Sequence, residues 1–149
     1  MGEVIPFRPK PVPVVTDEFT AIIEWVKPPA DWWTGQMQIQ LAHHAYMFAD
    51  YRRIMLCREH GKDSPEAREA REITRRAFDA WRIAGLRQIF IPAECVRHLR
   101  WKQEWLRRQG GAPETALAIA RDQVALADRI EAAQKAVASR QATRKAVQR

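Results

Sequence analysis

Apolar residues recur along this chain at intervals of three and four, the repeat that gathers side chains on one face of an α-helix. Phe19, Ile22, Ile23 and Val26 follow this spacing behind Thr16 as a cap, with Asp17 and Glu18 in the first turn, and Pro28-Pro29 ends the helix. A second, longer helix opens at Thr34. Its Met37, Leu41, His44, Phe48, Tyr51 and Met55 alternate by four and three on one continuous face until Gly61 stops it. The third starts at Ser64-Pro65-Glu66, a cap followed by proline and an acid. Ala70, Ile73, Ala77, Trp81 and Ala84 form its expected buried stripe, while Glu69, Glu72 and Arg68, Arg71, Arg75 and Arg76 make a salt-bridged outer face.

Gly85 weakens that helix, and residues 86–91 read either as its continuation or as a short extended connector before Pro92 starts a fourth. Val96, Leu99, Gln103 and Leu106 line one side of the fourth helix, with Trp101 and Trp105 beside them, and Gly110-Gly111 ends it. Pro113-Glu114 opens the last helix, whose stripe is Ile119, Gln123, Leu126, Ile130, Ala133 and Val137. Beyond Val137 only Val147 is large and apolar, so this helix is expected to pack over its first half and project or fray at its end.

No period-two alternation and no internal repeat interrupt the pattern. The prediction is an all-α, single-domain bundle of four to five helices over 16–137. An extended Pro-rich arm precedes it over 1–15, and the long last helix ends in a basic tail over 138–149. The arm is expected to be extended because prolines 6, 9, 11 and 13 each fix φ and hold the preceding residue out of the helical region.

Composition narrows the classes. The chain has 149 residues, 46% hydrophobic and 29% charged, enough for one domain with a core. No apolar run reaches the ~18 residues of a membrane span, and the first residues lack a basic stretch followed by an apolar one, so neither a membrane protein nor a secreted one is expected. Two cysteines, Cys57 and Cys95, make no disulfide scaffold. A cytoplasmic protein is the expectation.

The formal net charge of +7 invites a nucleic-acid reading, but 19 Arg against 6 Lys and no Asn is also what a GC-rich genome produces. Its distribution is more informative. Residues 1–81 carry net −1, residues 82–108 net +5, residues 109–131 net −2, and residues 132–149 net +5 with no acid at all. Within the first basic segment Arg97, Arg100, Lys102, Arg107 and Arg108 interleave with Trp101 and Trp105. Cations that meet phosphates beside indoles that stack on bases suit nucleic acid, and the same set suits a protein interface. Trp101 and Trp105, four apart and next to the Val96/Leu99 side, fit a core equally well. The second segment offers Lys135, Arg140, Arg144 and Lys145; cations near a helix C-terminus also suit its dipole. Trp25, Trp32 and Trp33 cluster around the Lys27-Pro28-Pro29 break, and exposed indoles of this kind mark interfaces.

Cys57/His60 and Cys95/His98 share the i, i+3 spacing of zinc ligands, with His43 or His44 as a further donor for the second pair. In an up-down bundle the second and fourth helices run parallel, which separates the two pairs by about 30 Å. No metal and no cofactor is expected. Ser64 reads as a cap, and no phosphate loop, His-Glu-x-x-His or nucleophile elbow occurs, so neither an enzyme nor a small-molecule substrate is expected. The leading expectation is a helical adaptor that docks on a larger bacterial or phage-type assembly, or on itself, through Trp-rich and basic surfaces. A non-specific nucleic-acid binder using 82–108 and 132–149 is the alternative, and a small protein inhibitor of a nucleic-acid-handling complex is a third.

Overall fold

Residues 17–148 are described by the computed structural model, and the arm over 1–15 lies outside them. Among the described residues there are five α-helices and no strand: α1 (Asp17–Val26), α2 (Trp32–His60), α3 (Pro65–Ile89), α4 (Val96–Gln109) and α5 (Pro113–Val147). The fold is the all-α bundle the periodicity predicts.

Capping chemistry sets the boundaries. The Asp31 carboxylate accepts the Thr34 backbone N–H at 2.7 Å, so α2 begins at Trp32, two residues before the expected Thr34. Ser64 caps α3 by accepting the Ala67 N–H at 3.1 Å. Gly61 (φ 88°) and Gly110 (φ 69°) end α2 and α4 in the left-handed region that costs other residues strain. α3 continues through Gly85 to Ile89, so residues 86–89 continue the helix while Phe90 and Ile91 lie beyond its end. Pro92 does not start α4. The chain from Pro92 to Cys95 is a loop, and Arg129 of α5 ties it down by donating to the carbonyls of Ala93 (2.7 Å) and Glu94 (3.4 Å).

α2 and α3 form an antiparallel hairpin. Gly35 lies against Gln88, Tyr46 stacks on Trp81, and Leu56 lies beside Ala70. The remaining helices gather at the open end of that hairpin. Phe19, Ile89, Phe90, Ala118 and Ile119 are the centre of the core there, surrounded by Ile22, Ile23, Val26, Leu86, Leu99, Trp101, Trp105 and Leu106. Arg87 donates to the Lys27 carbonyl (2.9 Å) and fixes the end of α1, while Arg121 reaches the Phe90 carbonyl (3.1 Å) from α5. Toward its turn the hairpin is a two-helix layer, and every residue from Ala127 to Gln148 is exposed. The long helix therefore packs for its first half and projects for its second.

Candidate interaction surfaces

The Trp-bearing basic segment divides into an interior and a rim. Trp101 stacks on Trp105 (centroids 5.3 Å), Trp105 meets Trp81 edge-on (5.5 Å), and Trp81 stacks on Tyr46 (5.7 Å). At the other end Trp101 meets Trp32 edge-on (5.4 Å), and Trp32 lies face to face with His98 at 3.9 Å. This aromatic chain joins α2, α3 and α4 through half-buried rings. Three of the candidate binding residues, Trp32, Trp101 and Trp105, are thus packing elements. Gly85 makes the contact possible, because a Cβ there would sit 1.8 Å from the Trp105 ring.

Lys102 departs furthest from the sequence expectation. It is fully buried, and its ammonium donates to the Asp122 carboxylate and to the Ile91 carbonyl, with the Trp32 ring 5.8 Å away. Asp122 is also buried and accepts a second donor, Arg121, at 3.0 Å. Burial pushes the Lys102 pKa down, and the bond to Asp122 opposes that. Lys102 is a structural cation and cannot face a phosphate or a partner. The sequence signal for Lys102 pointed outward only because its counter-charge lies twenty residues downstream, on a different helix.

Arg97 and Arg100 are exposed, with no hydrogen bond or ion pair among the described residues. Arg107 and Arg108 are exposed but share the Glu104 carboxylate, each at 2.6 Å. These contacts, the hydrogen bond from Arg107 first, hold the Glu104 carboxyl down at about 2. Lys135 pairs with Glu131 at 2.7 Å one turn earlier. Arg140, Arg144 and Lys145 are exposed on the projecting end of α5 and make no hydrogen bond or ion pair with the 82–108 segment among the described residues.

A stripe of apolar side chains on α2 is open to solvent. Met37, Leu41, His44, Phe48, Tyr51 and Met55 of α2 are all exposed, with Leu41 at 65%, Phe48 at 73% and Tyr51 at 65%. Met47 adds to the same side. α3 covers the opposite side of α2, where Gly35, Ile39 and Ala49 are buried. Trp33, at 74% exposure, stands at the head of α2, so of the Trp32/Trp33 pair only Trp33 offers an open indole.

A second apolar surface is a groove of about 470 Å³ between α1, the end of α3 and the start of α5, lined by Ile22, Trp25, Val26, Leu86 and Phe90. Trp25 is 84% exposed at its edge. Sequence reasoning did not single out Met47, although it sits one turn from both His44 and Tyr51.

Neither zinc pair assembles. Cys57 and Cys95 lie at opposite ends of the hairpin direction, His43 packs on Trp81 at 4.8 Å, and His98 Nδ1 accepts the Glu94 N–H at 3.3 Å while its ring faces Trp32. Among the described residues no three of His, Cys, Asp or Glu come together as metal ligands, and no helix is long and apolar enough to cross a membrane. No protein-family model, curated protein or solved structure matches the chain.

Proposed function

We propose that this protein is a non-enzymatic helical adaptor within a larger assembly, with the outer face of α2 as its docking surface for a protein partner or a second copy of itself. One observation carries the reading: a helix whose stripe of Met37, Leu41, Phe48, Tyr51 and Met55 has the spacing of a helix seam lies open to solvent over most of its length. Contiguous exposed apolar surface of this kind marks interfaces, and exposed methionines and aromatics are the residue types enriched there. The basic groups Arg97, Arg100, Arg107 and Arg108 form a rim on another helix and would tune the encounter rate and not the hold.

Affinity capture with the full chain and with Phe48→Glu tests this. Retained partners should fall at least tenfold in the variant, and an unchanged set of partners overturns the reading. The nucleic-acid alternative has one observation in its favour: residues 132–148 are an acid-free helix, exposed throughout and free of the bundle. A gel shift at two salt concentrations decides it. Binding that weakens steeply with salt supports it, and no binding at low salt removes it.

A further inference from the structure

We infer that the occupant of the α2 outer face is α2 of a second copy, the two helices running antiparallel about a two-fold axis near Tyr46. The inference deepens the docking reading and rests on it.

α2 is apolar on both sides. A helix of that kind belongs in the middle of an assembly, and here only one side is covered. The outer stripe keeps the intervals four, three, four, three, four from Met37 to Met55. Over these 18 residues, about five helical turns, the stripe stays on one narrow face, as the seam between two paired helices requires.

The spacing is also the same read from either end. Reversed about its midpoint, it sets Met37 against Met55 of the second copy, Leu41 against Tyr51, and His44 against Phe48. The flanks match as well: Ala45 meets Ala45, Met47 meets Met47, and Gln38 meets Arg52. No acidic side chain lies on the face, and Asp50 is turned away, held by Arg53 at 2.8 Å. A parallel, in-register pair would instead stack His44 on His44 and align the two helix dipoles; the antiparallel pair does neither.

The exposed apolar area is of the order an interface needs. At roughly 200 Å² for a fully exposed side chain of this size, the exposures of Met37, Leu41, Met47, Phe48, Tyr51 and Met55 leave on the order of 700 Å² per copy, close to the roughly 800 Å² per partner of a stable interface. The projecting half of α5 is a poorer occupant. Its apolar run, Ile130 to Val137, spans about 11 Å before Arg140 and Arg144 take over the stripe, against about 27 Å from Met37 to Met55.

Sedimentation equilibrium of the full chain tests the inference. The expected result is twice the 17.3 kDa chain mass, with Phe48→Glu raising the dissociation constant at least a hundredfold. Phe48 is exposed, so the variant should keep the wild-type circular dichroism spectrum and melting curve, and Leu41→Glu serves as a second disruption. With Cys57 and Cys95 replaced by serine, Ala45→Cys should cross-link between copies under mild oxidation, while Gln38→Cys should not. A monomeric mass at about 100 μM, or a dimer indifferent to both Phe48→Glu and Leu41→Glu, overturns the inference. A monomer whose capture of a different protein is abolished by Phe48→Glu also overturns the second copy but leaves the docking face standing.

Discussion

The Lys102 ammonium and the Asp122 carboxylate form a fully buried ion pair that fastens α4 to α5, with the Ile91 carbonyl and the Arg121 guanidinium completing the hydrogen bonds of the two partners. The pair closes a polar network inside a small core. Its energetic weight lies less in the attraction than in the cost of leaving either charge alone in a site without water.

Removing one partner should therefore be more damaging than the net worth of the pair. Asp122→Ala strands the Lys102 charge and is expected to cost about 3–5 kcal/mol in urea unfolding. Lys102→Met should cost less, because Asp122 keeps Arg121 at 3.0 Å and the methionine fills much of the lysine's volume. Equal losses for the two variants would contradict this account.

Gly85→Ala sets two effects of opposite sign against each other. Helix propensity alone favours alanine by about 1 kcal/mol. The added Cβ, however, would fall 1.8 Å from the Trp105 ring and drive the indole out of its place between Trp81 and Trp101, a change of the overpacking kind that costs about 1–3 kcal/mol. Net destabilisation with an altered near-ultraviolet circular dichroism spectrum is expected; a rise in melting midpoint would show the aromatic chain to be slack.

Stability should fall on acidification through His98. Burial, first, pushes its pKa below the usual 6.5; the Glu94 charge opposes this, the Lys102 and Arg97 charges add to it, and Asp122 opposes it least. Between the depressed folded value and 6.5 the unfolded chain binds the extra proton, so the stability present at neutral pH is lost as pH falls below about 6.5. Thermal melts from pH 7.5 to 5 on the wild type and on His98→Gln measure this. The slope should be shallower in the variant, and identical slopes would assign the effect elsewhere.

Truncation after Val137 removes exposed helix alone. The melting midpoint should stay within about 2 °C of the full chain, as surface changes away from packed features do. A larger drop would mean that the basic tail carries a stabilising contact.

Local chemistry was legible in the sequence. Ser64-Pro65, Gly61, Gly110 and Pro113 mark element ends because capping and left-handed turns are decided by one or two residues. The all-α class and the projecting end of α5 followed from the three-and-four spacing and from where large apolar residues cease. The start of α2 moved from Thr34 to Trp32, capped by Asp31, and the start of α4 moved from Pro92 to Val96, since each boundary had neighbouring residues of similar competence.

Which face turns inward was decided by tertiary structure. The α2 stripe has the residues of a core, yet α3 packs on the other side, where Gly35, Ile39 and Ala49 allow close approach. Lys102 reads as surface charge until α5 brings Asp122 across from twenty residues away. Helix formation depends on neighbours in sequence; burial depends on partners distant in sequence. The sequence by itself therefore determined the helices and the supply of apolar and basic faces, and only packing decided which of those faces remain open.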